Sequence, residues 1–214
     1  MASSNLLAVI RYRRSVREYD PRPVEAWKMR AILEAARLAP SSTNSQPWRI
    51  IVVTDPGLKD EMARATPAGI NQHPWMSAAH AILVLCSAKS GVQKIAQFLG
   101  KNYALVDMGI VGEHIVLVAA ELGLGTCWVG WFNKTKIRRL LGIPSSWELV
   151  CLIPVGYPKG ESIALEDIVR MYQKMEPLQQ EGEPGIGMIA ANTRRPLAET
   201  VFFNKMERLK TGIL

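Results

Sequence analysis

The sequence predicts an α/β or α+β sandwich in which a mixed sheet of few strands is wrapped by much helix. Apolar, β-branched runs at Ile50–Val53, Ala81–Cys86 and Leu149–Val155 read as buried strands. Helical patterns fall between these runs, so the elements alternate. Three strands in 214 residues is few, which disfavours a doubly wound sheet and favours the α+β form.

The elements follow in order. Residues 5–12 form a short helix with Leu6, Leu7, Val9 and Ile10 as apolar contacts. The next stretch, Arg13-Arg14-Ser15-Val16-Arg17-Glu18-Tyr19, is basic and extended as far as Asp20-Pro21. From Pro23 to Ala39, Met29, Ile32, Leu33, Ala36 and Ala39 recur at helical spacing, Pro23 suits an early helical position and Pro40 stops the run. Residues 58–65 read as a surface helix and 92–99 as a weaker one. Tyr103 to Leu122 is the longest regular segment and is apolar on most faces. Such a helix is buried in a core or against a partner subunit. Gly109 and Gly112 allow close approach to it, and Gly123-Leu124-Gly125 ends it. Ile137–Leu141 is a short helix, and Gly156-Tyr157-Pro158 closes the last strand. Residues 159–195 are polar and broken by glycines, Pro177 and Pro184, an extension rather than a second domain. Leu197–Phe203 is a last short helix or strand. The expected organisation is a core over 1–158, an excursion over 159–193 and a closing segment over 194–214.

Composition narrows the class. The chain is 48% hydrophobic and 21% charged, ordinary for a soluble globular protein. Its net charge of +7, with Arg11, Arg13, Arg14 and Arg17 close together, points to an anionic partner such as a phosphate-bearing cofactor, phospholipid or nucleic acid. No zinc-finger, RNP or helix-turn-helix pattern supports the nucleic-acid reading. Cys86, Cys127 and Cys151 are odd in number and lie in apolar contexts, so they read as buried free thiols. His73, His80 and His114 form no ligand cluster, and no metal is expected. The N-terminus lacks a signal-peptide layout, and Glu113, His114 and Glu121 interrupt the most apolar stretch. The expectation is a cytoplasmic protein with no membrane span.

The loop Pro40-Ser41-Ser42-Thr43-Asn44-Ser45-Gln46-Pro47-Trp48 is a polar loop framed by two prolines between a helix and a strand. The arginine cluster with Ser15 suits a phosphate, and a single guanidinium suits an electron-rich ring edge. A second pair, Arg194-Arg195, waits near the far end; whether the two sites converge is open. Gly123 to Trp131 is neither a P-loop, which needs Lys after the last glycine, nor a Rossmann fingerprint. Gly130 still lets a backbone N–H approach a flat ligand. No GxSxG, Cys/His pair or paired carboxylates mark a side-chain catalyst. An enzyme of this kind lets a cofactor do the chemistry.

Five motifs in this order resemble the FMN-dependent nitroreductase family. They are RRSVREY at 13–19, PSSTNSQPW at 40–48, ELGLGTCWVG at 121–130, IPVGYP at 153–158 and RRPLAE at 194–199. The resemblance implies a three-layer sandwich with a central mixed, mainly antiparallel sheet, and an interlocked homodimer built around the long helix. It implies FMN in each of two interfacial pockets, with NADH or NADPH as co-substrate. Arg13, Arg14 and Ser15 resemble the phosphate and ribityl ligands, and Arg17 the cation near flavin N1/O2. Pro40, Ser41, Ser42 and Asn44 resemble the loop supplied across the dimer. Asn71 and Gln72 lie where the family places an amide against the pyrimidine edge. Val129, Gly130 and Trp131 match the segment facing N5 and O4, and Arg194 and Arg195 the C-terminal phosphate contact. The implied reaction is ping-pong hydride transfer to a planar acceptor such as a nitroaromatic or quinone. Reductive dehalogenation, enal reduction, flavin cleavage and non-catalytic flavin binding are the alternatives. Trp131 stands where the family often has glycine, which is expected to narrow the substrate slot. Residues 159–193 are longer than the usual link. Trp48 and Trp75 are assigned to the core and Trp131 to the pocket wall.

Overall fold

Two apolar faces, each covered by helices, explain why the main strands read as unbroken hydrophobic runs. The computed structural model describes residues 6–65, 73–88, 100, 102–160, 195–204 and 207–208. Within them lie helices α1 (Leu6–Tyr12), α2 (Ala26–Leu38), α3 (Pro56–Ala63), α4 (Tyr103–Glu121), α5 (Lys134–Leu141) and α6 (Leu197–Thr200). The strands are β1 (Trp48–Val53), β2 (Ala81–Ser87), β3 (Gly125–Thr126), β4 (Glu148–Gly156), β5 (Val201–Phe203) and β6 (Glu207–Arg208).

These strands form one sheet in the order β3-β4-β2-β1-β5-β6, with β1/β5 its parallel pair and the other pairs antiparallel. The sheet is therefore mixed and mainly antiparallel, as expected. Alternate side chains serve two cores. Ile50, Val52, Leu83, Leu85 and Ile153 pack against α2 and α4 through Ile32, Leu33, Val111 and Ile115. Ile51, Val53, Ile82, Val84 and Leu152 pack on the other face against Met62, Ile137 and Leu141 of α3 and α5. Helix, sheet, helix makes three layers.

Several boundaries shift from the expected ones. The described residues hold six strands rather than three, because β3 and β6 have two residues each and β5 three, too short to leave a side-chain pattern. Leu197–Phe203 is both of its predicted forms, a helical turn running into β5. Helix α2 starts at Ala26, so Pro23 stands outside it. Glu25 has extended backbone (ψ 140°), and its carboxylate accepts from the Tyr157 hydroxyl at 2.6 Å, holding that approach straight. Helix α3 begins two residues earlier than predicted, at Pro56, because Asp55 caps it by accepting from Leu58 N–H. Helix α5 likewise begins at Lys134, capped by Asn133, and ends on left-handed Gly142. Residues 92–99 and 161–193 lie outside the described residues.

The long helix α4 is long and apolar enough to cross a membrane, yet half of that stretch is buried inside the fold. Met108, Val111, Ile115 and Ala119 face the core, while Tyr103 and Val106 are 47% and 59% exposed. Apolar Leu6, Leu7 and Ile10 of α1 are uncovered as well. All three cysteines are buried free thiols. Burial pushes the Cys86 and Cys151 thiols up to about 12. Trp48 is fully buried, and Trp75 is partly buried, stacked on Tyr19 at 6.4 Å.

Candidate functional site

The extended arm from Arg13 to Tyr19 lies along the β3–β4 edge. Val16 N–H donates to Thr126 O at 2.9 Å, Asp20 N–H to Tyr157 O at 2.8 Å and Lys159 N–H to Glu18 O at 2.9 Å. Val16 and Tyr19 turn inward, and the Tyr19 hydroxyl donates to Val16 O at 2.9 Å. Gly125 permits the arm to sit so close, since a Cβ there would come within 2.7 Å of Val16. With Val16 and Tyr19 inside, Arg14, Ser15 and Arg17 are left exposed. They line a groove of about 330 Å³ together with Glu18 and Lys159. Arg13 is half-buried against the end of α4 beside Ala120 and Gly125. Among the described residues no ion pair engages Arg13, Arg14 or Arg17. Lys159 is a cation that the sequence motifs missed; its proximity to the arm arises from its backbone hydrogen bond to Glu18, a residue remote in sequence.

The Pro40–Trp48 loop sits elsewhere. It makes a 3₁₀ turn at Ser42–Asn44. Thr43, Asn44 and Gln46 adopt left-handed backbone with φ of 53°, 53° and 46°, which non-glycine residues rarely do. Ser42 N–H donates to Asp107 Oδ1 at 2.9 Å, and Asp107 is buried in the first turns of α4. Asp107 is a second residue that sequence reasoning missed; a lone acid inside an apolar helix was the available signal. Arg195 joins this end of the molecule, because its N–H donates to Gln46 Oε1 at 2.6 Å.

The two groups of predicted residues are therefore not brought together within one chain. The loop contacts α4 at Asp107 and the arm contacts it at Ala120. Thirteen residues of helix at about 1.5 Å each put those contacts about 20 Å apart. Arg195 lies with the loop, so the arm and the C-terminal arginine do not converge in a single subunit.

The third segment, Val129 to Trp131, is a backbone shelf. Val129 and Leu152 exchange two 2.9 Å hydrogen bonds on one side, and Asn133 N–H donates to Ala65 O at 2.8 Å on the other. The Trp128 ring lies directly on Gly112 of α4. Gly130 between them is exposed, and a Cβ there would meet nothing within 4 Å. Trp131 is 60% exposed beside Gly130 and does not line the groove along the arm. Asn71, Gln72 and Arg194 lie outside the described residues.

A model of the nitroreductase family matches residues 10–157, most of this fold and the arm, loop and shelf described above, leaving out Lys159 and Arg195. The chain belongs to the nitroreductase family. A nitroreductase-family protein from Clostridium novyi superposes with a TM-score of 0.73 at 25% identity, covering 94% of each chain. An FMN-dependent nitroreductase from Clostridium difficile superposes at 0.62 with 27% identity, over 81% of this chain and 99% of that one. An Archaeoglobus fulgidus protein with a provisional NADH dehydrogenase/NAD(P)H nitroreductase name is 33% identical over 159 residues, 72% of this chain and 86% of its own. Membership of this family makes the chain an oxidoreductase.

Proposed function

We propose that this nitroreductase-family chain is a homodimeric NAD(P)H oxidoreductase that holds FMN in two sites between subunits and reduces planar, electron-poor acceptors. One observation carries the reading. A basic arm without ion-pair partners among the described residues and a polar, strained loop are held about 20 Å apart on one helix, so a second copy is needed to bring loop to arm. The uncovered apolar residues of α1 and α4 supply the surface for that copy.

The residues present fit FMN. The groove beside the arm carries Arg14, Ser15, Arg17 and Lys159, a donor set suited to a phosphate and an anionic ring edge. The open face of Gly130 leaves room for a flat ring against backbone. Arg13, Arg14 and Ser15 would hold the phosphate and ribityl chain, with Arg195 contributing from the loop side and Arg194 adding a further phosphate contact. Pro40, Ser41, Ser42 and Asn44 of the partner would close over them. Asn71 and Gln72 would meet the pyrimidine edge. Bound there, FMN would supply two-electron hydride chemistry between NADH or NADPH and the acceptor, in the ping-pong order that one shared slot imposes. Arg17 would oppose the negative charge that reduction places near N1/O2. Val129 and Trp131 flank Gly130, whose backbone N–H would face N5.

The test is an absorption spectrum of purified protein, then anaerobic addition of NADPH or NADH and of a nitroaromatic or a quinone. The reading predicts flavin bands that bleach with the nicotinamide and return with the acceptor. A protein that stays colourless after FMN soaking overturns it. A yellow protein that neither nucleotide bleaches leaves a flavin binder and removes the enzyme.

A further inference from the structure

Gln46 does work that the motif around it does not announce. Its side chain is buried, with 5% of the residue exposed, in a loop otherwise partly open to solvent. Its amide nitrogen donates to Asn44 O and Asn44 Oδ1, both at 3.1 Å. Its amide oxygen accepts from Arg195 N–H at 2.6 Å, across 149 residues of sequence. Its own N–H donates to Ser41 Oγ at 3.0 Å, and its carbonyl accepts from Arg49 at 3.3 Å. One residue thus touches both ends of the strained turn and the chain that follows Arg194.

We propose that Gln46 is a positioning residue that latches the Ser41–Asn44 loop to the C-terminal segment at Arg195, presenting the two as one unit to the cofactor. The inference rests on the FMN reading above. The chemistry requires an amide. Asn44 offers acceptors on one side and Arg195 a donor on the other, so the side chain has to donate and accept at once. A carboxylate accepts only, and faces the Asn44 oxygens with lone pairs. A protonated carboxylic acid again has both a donor and an acceptor. The left-handed backbone at Thr43, Asn44 and Gln46 gives the latch its purpose, since such a turn persists only when its surroundings over-determine it. A loop that needed only local contacts would leave this side chain in solvent.

Gln46→Glu therefore makes the latch titratable. Among the described residues, the charged groups near it include Arg49 on β1, Arg195 and Glu199 on the C-terminal segment, and Asp107 on α4 through Ser42. Burial and the facing Asn44 oxygens, with the acids, shift the new carboxyl's titration upward, and the two arginines oppose that shift only in part. The experiment is a fluorescence titration of apoprotein with FMN, wild type beside Gln46→Glu, from pH 8 down to pH 4.5. Dividing the two Kd values at each pH removes the titration of the ligand's own phosphate. The latch predicts FMN binding roughly tenfold weaker in the variant at pH 8, with the ratio closing towards one as the carboxyl takes up its proton. A ratio near one at pH 8, or a loss that stays constant down to pH 4.5, overturns it. Hydrogen exchange of unsubstituted apoprotein provides a second readout that no variant can confuse. The Arg195 amide is expected to be protected, and exchange at the free-peptide rate overturns the latch. If unsubstituted protein binds no FMN, the cofactor reading fails, while the Arg195 amide still decides whether the contact exists.

Discussion

Gly112→Ala probes how the Val129–Trp131 shelf is mounted on α4. A Cβ at Gly112 would stand 2.2 Å from Trp128 Cζ2 and Cη2. Carbon atoms prefer about 3.5–4.0 Å, so the ring has to retreat by more than about 1 Å. Overpacking of this kind costs about 1–3 kcal/mol. Replacing a mid-helix glycine by alanine returns about 1 kcal/mol of helix propensity. Trp128 is 37% exposed, so the ring can swing outward and relieve part of the clash. The net change in the single variant is then about 0–2 kcal/mol, which is a weak test alone. The coupling is sharper. A phenyl ring does not reach the notch, so in a Trp128→Phe background the same alanine keeps its propensity gain and meets no clash. Urea denaturation of the four proteins in the double-mutant cycle should give a coupling energy of about 1–3 kcal/mol between positions 112 and 128. A coupling below about 0.5 kcal/mol would falsify the packing argument. Because Trp128 leads straight into Gly130, the single variant is also expected to hold FMN more weakly.

Other perturbations follow from the same geometry. Asp107→Ala removes the acceptor of Ser42 N–H and should lower stability by about 1–3 kcal/mol, read by chemical denaturation, with weaker FMN binding as well. Unchanged values for both would mean that the loop does not depend on that carboxylate. Arg17→Ala should weaken FMN retention and lower the two-electron midpoint potential by about 30–60 mV, the equivalent of about 1.5–3 kcal/mol; an unaltered potential in the flavin-bound variant would remove its electrostatic role. Cys86 and Cys151 are raised from 9.0 to about 12 by burial, so the unfolded chain loses these protons first. Their contribution to stability is complete below pH 9 and is lost as pH climbs from 9 towards 12. Cys86→Ala/Cys151→Ala protein should show a flatter decline over that window, and both thiols should resist a thiol reagent until the protein unfolds.

Much of this molecule was legible in its sequence, for identifiable reasons. Strands β1, β2 and β4 were visible because both faces of the sheet are covered, so their inner runs Ile50–Val53, Ala81–Cys86 and Leu149–Val155 are apolar throughout. β3, β5 and β6 were not, because a two- or three-residue strand is defined by backbone partners alone. The early start assigned to α2 failed for a similar reason, since Tyr157, far along the chain, holds Glu25 extended. In the candidate site, the arm and loop announced themselves as clusters of one residue type. Asp107, Lys159 and Gln46 did not. Each acts through a contact between segments remote in sequence, 65 residues apart for Ser42 with Asp107 and 149 for Gln46 with Arg195. The separation of arm and loop by α4 was equally invisible, and it is what makes a second subunit necessary in this account.

That separation sets the decisive measurement. Mixed dimers would be assembled from an Arg14→Ala/Arg17→Ala chain and a Ser42→Ala/Asn44→Ala chain carrying different tags, and the bound FMN counted by absorbance. If each site takes its arm from one subunit and its loop from the other, one site in the mixed dimer collects every defect and the other is intact. The account predicts one tightly held FMN per mixed dimer, two in the unsubstituted dimer and none in either variant homodimer. Mixed dimers that hold two weakly bound FMN molecules, or none, would contradict a site built from two chains.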